Sequence, residues 1–366
     1  MPNVIEVFRS ENVLARAVVG MSPDRCVVTF SPWDNNHSLQ RPGFGEGFLR
    51  RSKIDAIHII PTGNHWYQYP EFKALCERVA ALTTTYRHVV AYGSSMGGYA
   101  AIRYGQWAGA HIAFALSPQY TVNPWRPPFE RRWSGAARGI RFLHENGRAA
   151  VRRAIIVFDP LDEDAKHAKL FREITDVVAV ELPNCGHPCT GLLADLDVLR
   201  SALLDVCFER FDAEAFALDV MGRIEMSPQF HFVRARRSTD PLVRLRLTTE
   251  AAELAPTHGA TLLELAVACL SAAKPEMAIE TLDRLGSIQK ESVPAMSLRA
   301  RALGSAGRFD EAIVIMERLC RPDTDSADFR HLLARLRRWK AEAEVLRRVR
   351  GLVNPLVRLF PWRQRH

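Results

Sequence analysis

The stretch His88-Val89-Val90-Ala91-Tyr92-Gly93-Ser94-Ser95-Met96-Gly97-Gly98 decides the fold of the first half of the chain. Its first five residues form an apolar run typical of a buried strand, and residues 99–107 have helical composition. Between them, G-S-S-M-G-G predicts a sharp strand-to-helix turn that only small neighbours can form without clashing. Such a turn presents the Ser95 hydroxyl at a helix N-terminus, where free N–H groups favour developing negative charge. We interpret Ser95 as a nucleophile; the alternative is a Gly/Ser-rich turn without chemistry.

Short apolar runs alternate with helical segments on both sides of this turn. The predicted strands are residues 5–8, 13–19, 26–30, 56–60, 88–92, 111–116, 154–158 and 177–180, and the predicted helices are 45–51, 71–86, 99–107 and 192–208. This alternation predicts an α/β domain over residues 1–210, with a doubly wound, mostly parallel sheet. Residues 119–150 are rich in Pro, Trp and Arg and break the pattern, so we expect a lid-like insertion there.

A serine hydroxyl needs a base, and the base needs a group that fixes its tautomer. His187 lies in Asn184-Cys185-Gly186-His187-Pro188, directly after the last predicted strand, and is the predicted base. The preceding strand ends in an acidic loop that offers three aspartates. We favour Asp162, which lies a few residues beyond the strand end, with Asp159 as the alternative acid and Asp164 as the third possibility. The aspartates without a catalytic role are expected to cap the next helix.

The order Ser95, Asp162, His187 and the strand-turn-helix context resemble the α/β-hydrolase superfamily over residues 1–210. The resemblance implies a Ser-His-Asp triad that uses neither a metal nor an organic cofactor. It also implies an oxyanion hole formed by the N–H of Met96 and by a second N–H from the loop Ser31-Pro32-Trp33. Pro32 has no N–H, so the second donor is Ser31, Trp33 or Asp34, and we choose Trp33.

Two regions indicate a substrate. The segment Asn64-His65-Trp66-Tyr67-Gln68-Tyr69-Pro70 follows a strand at the edge where the nucleophile lies, and with Trp33, Trp125 and Trp133 it predicts an aromatic platform for a sugar ring or an acyl chain. The insertion carries six arginines, Arg126 among them, against two glutamates, which favours an anionic substrate. We therefore expect His65, Trp66, Tyr67 and Arg126 to bind substrate. The alternative is that the tryptophans pack the insertion onto the domain and the arginines face water.

The β signal ends near residue 250, and a repeat follows. Ser271-Ala272-Ala273-Lys274-Pro275-Glu276-Met277-Ala278-Ile279 aligns with Ser305-Ala306-Gly307-Arg308-Phe309-Asp310-Glu311-Ala312-Ile313 at an offset of 34 residues. This pattern resembles the tetratricopeptide repeat, with Pro275 where an aromatic residue is expected. We predict a helical connector at 211–250, tetratricopeptide-like repeats at 251–350 that bind a protein partner or mediate self-association, and a basic tail at 351–366.

Charge and composition narrow the function further. The net charge of +8 is concentrated in residues 330–366, where eleven Lys/Arg face two Glu, so the rest of the chain is nearly neutral. The basic tail can contact an anionic surface, and nucleic acid is not expected to be a partner. No window approaches the roughly 18 apolar residues of a membrane span, and the N-terminus lacks the pattern of a secretion signal, so we expect a cytoplasmic protein. The seven scattered cysteines fit reduced thiols, and Cys185 and Cys189 lack zinc-site spacing.

Together these features predict a serine hydrolase, an esterase that cleaves an ester or thioester bond through an acyl-enzyme. The expected substrate is a small-molecule or glycan ester. An acyltransferase or thioesterase with the same triad is one alternative. A catalytically weak adaptor that acts through its repeats is another, favoured by the unusual oxyanion loop.

Overall fold

The computed structural model describes residues 2–126, 129–145, 149–321 and 326–359, with side chains up to residue 348. The chain divides into two compact units, Met1–Val233 and Arg234–His366. The first is an α/β unit and the second is helical throughout its described residues. The side chains of the predicted basic tail, residues 351–366, lie outside the described residues.

One eight-stranded sheet forms the centre of the first unit. Its strands are β1 (Asn3–Arg9), β2 (Val13–Val19), β3 (Arg25–Phe30), β4 (Asp55–Pro61), β5 (His88–Ser94), β6 (Ile112–Leu116), β7 (Arg153–Phe158) and β8 (Asp176–Glu181). Their order is β1-β2-β4-β3-β5-β6-β7-β8, and β2 is antiparallel to both β1 and β4. The pairs from β4 through β8 are parallel. The chain crosses over β3 between β4 and β5, so the loops after β3 and β5 leave the sheet side by side, where α/β folds bind ligands.

Helices cover both faces of this sheet. They are α1 (Glu46–Arg51), α2 (Phe72–Thr83), α3 (Met96–Tyr104), α4 (Ser134–Ala137), α5 (Asp164–Phe171), α6 (Thr190–Asp195), α7 (Leu199–Cys207) and α8 (Ala213–Arg223). Strand side chains alternate between the faces, so Val28 joins the core under α2, α3 and α5, whereas Val27 joins the core under α1, α6, α7 and α8. The apolar strands are therefore buried on both sides, as a parallel sheet requires. The strand order, two-sided helical cover and turn at Ser95 are those of the α/β-hydrolase fold.

Three details differ from the sequence expectations. The predicted helix 192–208 is two helices, α6 and α7, because Asp197 between them has a positive φ of 53° that no helix accommodates. The predicted helix 99–107 begins earlier, at Met96, directly after Ser95. The first unit also continues past residue 210 to Val233, because Val220, Ile224 and Phe230 are buried in the core that α6 and α7 share.

Paired helices form the second unit. After α9 (Pro228–Arg237), which crosses the boundary, the helices are α10 (Pro241–Leu254), α11 (Gly259–Ser271), α12 (Pro275–Ile288), α13 (Val293–Ser305), α14 (Phe309–Leu319) and α15 (Ala327–Leu359). Both helices of the pair α11–α12 recur 34 residues later in α13–α14, which is the predicted offset. Pro275 is accommodated because it opens α12, where a missing N–H costs nothing. Among the described helices of both units, none combines the length and apolarity needed to cross a membrane.

Candidate active site

Ser95 lies at a strained turn between β5 and α3. Its backbone has φ 52° and ψ −118°, a conformation that L-residues rarely adopt. The turn is tight because a Cβ on Gly93 would lie 2.2 Å from the Gly97 carbonyl oxygen, and a Cβ on Gly97 would lie 2.2 Å from the Phe30 carbonyl oxygen. The glycines around Ser95 are thus required by backbone contacts, and Ser95 itself is only 5% exposed.

His187 meets Ser95 from the loop after β8. Its Nε2 lies 3.0 Å from the Ser95 Oγ, and its Nδ1 lies 2.8 Å from Oδ2 of Asp164. An ionised carboxylate only accepts hydrogen bonds, so Nδ1 carries the proton and Nε2 is left to accept the Ser95 hydroxyl proton. This is the tautomer that a general base for a serine requires.

The carboxylate at His187 belongs to Asp164, so the preference for Asp162 is corrected. Asp162 lies two residues before α5, and its Oδ1 lies 2.7 Å from Arg132 Nη1. Asp159, the alternative acid, accepts the Gly186 N–H at 2.8 Å and so fixes the loop that carries His187. Asp164 is the first residue of α5 and fully buried, and this helix directs it inward to His187.

Asp164 is held as an anion. Burial by itself raises the pKa of a carboxyl group, but the hydrogen bond and charge of His187, followed by the charge of Arg132, hold the pKa of Asp164 below its ordinary value of 3.8. Arg132 Nη1 lies 2.9 Å from Asp164 Oδ1. The site therefore keeps a buried negative charge behind His187 at neutral pH.

Arg132 belongs to the insertion and connects it to Asp164. It forms ion pairs with Glu130 at 2.6 Å and with both Asp162 and Asp164. Glu130 in turn accepts from His167 Nε2 at 2.8 Å, since His167 Nδ1 accepts the Tyr120 N–H and Nε2 must carry the proton. Although burial raises the pKa of Glu130, hydrogen bonds from His167 and Arg132 lower it to about 2. The predicted lid thus lies against the domain through a buried charge network.

Of the expected oxyanion donors, Met96 follows Ser95 directly, and the loop after β3 approaches the same turn, since a Cβ on Gly97 would lie 3.0 Å from the Ser31 oxygen. Met96 is the first residue of α3, and the first N–H groups of a helix lack intrahelical acceptors. In the loop after β3, the Ser31 N–H bonds to the Ile59 oxygen at 3.4 Å and the Asp34 N–H bonds to Asn64 Oδ1 at 3.1 Å. Pro32 has no N–H, so Trp33 is the candidate donor of this loop.

Three tryptophans form a cluster beside His187. Trp33 lies 5.2 Å from Trp133 and 5.6 Å from Trp66 between ring centroids, and Trp133 lies 5.9 Å from the His187 ring. Trp133 comes from the insertion, so this cluster both packs the insertion down and walls the site. Trp125, in contrast, is 91% exposed.

The other predicted substrate residues separate into two groups. Tyr67 is fully buried, packs on Phe30 and donates its hydroxyl to the Ser31 oxygen at 2.8 Å, so it supports the loop after β3 and does not face a substrate. His65 is exposed and contacts Tyr69, and Arg126 is exposed and donates to the Glu145 carbonyl oxygen at 3.2 Å. These contacts bring neither His65 nor Arg126 to Ser95. Arg148, another of the six arginines, lies outside the described residues.

Gln119 is a site residue that the sequence analysis missed. It follows β6, its side chain is fully buried, and its Nε2 lies 2.9 Å from Ser95 Oγ and 3.1 Å from His187 Nε2. The Trp66 indole N–H, which can only donate, lies 3.4 Å from Gln119 Oε1 and so orients the amide with its nitrogen towards Ser95. The available signal was position: β6 pairs with β5, so a polar residue just after β6 ends at the same sheet edge as Ser95.

The described part of the chain contains no group of three or more His, Cys, Asp or Glu that could hold a metal ion. Cys185 and Cys189, which flank His187 in sequence, are buried free thiols. Burial raises the pKa of Cys185 well above its ordinary value, so it is not a thiolate at neutral pH.

The comparisons with known proteins yield structural neighbours alone. No protein-family model matches the chain, and no curated protein sequence matches it. Similar solved structures include an esterase of Pyrococcus furiosus, with 12% identity and a TM-score of 0.39 over 58% of this chain and 91% of that one. A capsule O-acetyltransferase of Neisseria meningitidis serogroup A has 11% identity and a TM-score of 0.36 over 48% of this chain and 86% of that one. A dienelactone hydrolase from Anabaena variabilis has 13% identity and a TM-score of 0.36 over 58% and 98% of the respective chains.

Proposed function

We propose that the first unit is a serine esterase that cleaves an ester or thioester through an acyl-enzyme on Ser95. The observation that carries this proposal is the continuous hydrogen-bonded line from Ser95 Oγ to His187 Nε2 and from His187 Nδ1 to Asp164. A strained turn holds the first group, Asp159 holds the loop of the second, and α5 holds the third. Such preorganisation is what nucleophilic catalysis by serine requires.

The acylation step follows from these contacts. His187 Nε2 takes the Ser95 proton as Oγ attacks the carbonyl carbon, and Asp164 stabilises the imidazolium that forms. His187 then gives the proton to the leaving oxygen or sulfur, and the acyl group stays on Ser95. A water molecule then attacks the acyl carbon while His187 takes its proton. The bond from that carbon to Ser95 Oγ breaks, Oγ recovers the proton from His187, and the acid is released. The Met96 N–H, and in our proposal the Trp33 N–H, stabilise the oxyanion, each contributing about 3 to 4 kcal/mol.

Acyl transfer is the second candidate. It is favoured by the burial of the nucleophile, since Ser95 is 5% exposed and the Gln119 amide and the Trp133 ring lie against the pair Ser95–His187. Exclusion of water prolongs the life of an acyl-enzyme and favours an acceptor with binding energy of its own. The chemistry of the first step is the same in both candidates.

The second unit keeps the role proposed from its repeats. Its paired helices leave a groove of about 480 Å³ lined by apolar residues such as Ile279 and Leu303 and by charged residues such as Arg299 and Glu311. We propose that this unit binds a protein partner or a second copy of the chain. We further propose that the basic tail contacts an anionic surface. The proposed place of action is the cytoplasm, and the proposed substrate is a small-molecule or glycan ester.

Trapping the acyl-enzyme tests the esterase proposal. The protein is mixed with p-nitrophenyl acetate, quenched in acid and digested, and the acetylated peptide is located by mass spectrometry. We expect acetyl on Ser95 in the wild type and none in Ser95→Ala. Ser94→Ala is a matched control: Ser94 is equally buried, and its Oγ has no hydrogen-bond partner among the described residues. Acetylation of Ser95→Ala at the wild-type rate, or none in the folded wild type, would favour the adaptor alternative.

A further inference from the structure

We propose that Gln119 selects the acceptor of the acyl group: its amide excludes water from the acyl-enzyme and favours transfer to a bound hydroxyl compound over hydrolysis. This inference rests on the proposed function, and it starts from one juxtaposition. Gln119 Nε2 lies within hydrogen-bond distance of both Ser95 Oγ and His187 Nε2, at 2.9 and 3.1 Å.

The Gln119 amide nitrogen lies where the attacking oxygen must lie during deacylation. In deacylation the attacking oxygen gives its proton to His187 Nε2 while it approaches the carbonyl carbon attached to Ser95 Oγ, so it must lie near both atoms. The leaving group of the first step departs from the same place. The Gln119 amide nitrogen fills this place in the resting enzyme, and a water molecule cannot attack until the amide moves.

The amide is built into its position. The Gln119 side chain is fully buried, and Trp66, itself fully buried, donates its indole N–H to Gln119 Oε1 at 3.4 Å. Gln119 follows β6 directly, and the preceding Pro118 packs on Gly98 of α3, where a Cβ would lie 3.2 Å from the proline ring. The backbone that carries the amide is thus fixed to the helix that carries Ser95.

The consequence for catalysis follows from the strength of these bonds. The amide donates one hydrogen bond to Ser95 Oγ, whereas the single lone pair of His187 Nε2 is shared between the amide and the Ser95 hydroxyl, so the amide is displaced in roughly 7 to 30% of molecules. A single water molecule has no binding energy with which to change that fraction. A larger hydroxyl compound displaces the amide with binding energy from contacts made elsewhere in the site. The Gln119 amide, which we call the gate, therefore slows the reaction of such a compound less than it slows hydrolysis.

The transfer step is balanced. The acceptor oxygen forms a bond to the acyl carbon while its proton passes to His187 Nε2. The bond from that carbon to Ser95 Oγ then breaks, and Oγ takes the proton back from His187. The acceptor hydroxyl becomes an ester, and the enzyme returns to its starting state. Hydrolysis is the same sequence with water as the acceptor.

Removal of the amide tests the gate. Wild type, Gln119→Ala and Gln119→Asn are acetylated with p-nitrophenyl acetate, and acetate and glyceryl acetate are measured at several glycerol concentrations. The asparagine variant keeps a polar side chain but draws the amide back by one methylene. It therefore still tests the gate if the alanine variant does not fold. Exposed Gln106→Ala is the control. We expect the rate of hydrolysis of the acyl-enzyme to rise about three- to tenfold in both Gln119 variants, and the share of glyceryl acetate to fall.

The outcomes separate the two claims. Acyl-enzyme that forms on Ser95 but is hydrolysed by the Gln119 variants at the wild-type rate or more slowly would overturn the gate and leave the esterase proposal intact. Such slowing would assign Gln119 to positioning Ser95. If no acyl-enzyme forms on Ser95 in any folded variant, both proposals fail together.

Discussion

The turn at residues 93–98 and the insertion at 119–145 both border Ser95, yet they are held in different ways. At the turn, a Cβ on Gly93 or Gly97 would lie 2.2 Å from a backbone oxygen, whereas a Cβ on Gly135 or Gly139 of the insertion would meet nothing within 4 Å. The insertion is attached by charged side chains, Glu130, Arg132 and their partners, and by apolar residues such as Trp133 and Ala137 that pack on the core.

This difference separates two tasks. Close backbone packing tolerates no adjustment and fixes the nucleophile within a narrow range of positions. The ion pairs of Arg132, in contrast, depend on pH and on salt. The turn is therefore the rigid part of the site, and we expect the insertion to be the part that responds to a substrate.

The largest effect is expected where the two regions meet. Asp162 and Asp164 both bind Arg132, but His187 bonds to Asp164. Asp164→Asn should lower kcat/KM for an activated ester about 10³- to 10⁴-fold, because the wrong tautomer of His187 is favoured. Asp162→Asn loses a comparable bond to Arg132 and should retain activity within a fewfold. Equal losses in the two variants would show that attachment to Arg132, and not the contact with His187, matters for activity.

The next largest effect is expected from a substitution in the turn at residues 93–98. Gly97→Ala places a methyl group against the Phe30 carbonyl oxygen, and the backbone atoms there cannot move without separating β3 from α3. We expect the free energy of unfolding to fall by about 3 kcal/mol or more. Gly135→Ala, inside α4, should change stability by less than about 1 kcal/mol, in the stabilising direction. Urea unfolding followed by tryptophan fluorescence measures both, since five of the seven tryptophans lie in the first unit. A Gly97→Ala protein as stable as wild type would contradict the packing argument.

A smaller effect, on the pH dependence of stability, is expected from Glu130 of the insertion. The pKa of Glu130 is about 2 in the folded protein against an ordinary value of 4.5, so the unfolded chain takes up the proton first as the pH falls. The stabilisation is complete above about pH 5 and is lost as the pH falls towards 2, and its size is about 2 to 3 kcal/mol. The stability difference between wild type and Glu130→Gln should therefore stay constant between pH 7 and about pH 5 and shrink between about pH 5 and pH 3 in urea titrations. Exposed Glu173→Gln should show no such trend. A constant difference across this range would exclude the ionic attachment.

The sequence was informative wherever a local motif determines the structure. The strands, the turn at Ser95 and the loop of His187 all depend on residues that are adjacent in the chain, and the 34-residue repeat reappears in the spacing of α11–α12 and α13–α14. The carboxylate that contacts His187 was not predictable, because the choice among three nearby aspartates depends on which one the first turn of α5 directs inward.

Contacts from distant segments were also hidden. Gln119 reaches Ser95 because β5 and β6 end at the same sheet edge, and Arg132 reaches Asp164 from an insertion with little regular structure. Tyr67 shows the reverse error: an aromatic side chain in a predicted platform is buried beneath the oxyanion loop. No periodicity specifies such pairings, so they emerge only from the three-dimensional arrangement.

The central claim is that Ser95 is an activated nucleophile, and labelling with a fluorophosphonate probe tests it most directly. Wild type, Ser94→Ala and Gln119→Ala should each be labelled with one probe per chain, whereas folded Ser95→Ala and His187→Ala should not be labelled. Labelling that persists in Ser95→Ala, or that is absent from both folded wild type and Gln119→Ala, would contradict the account.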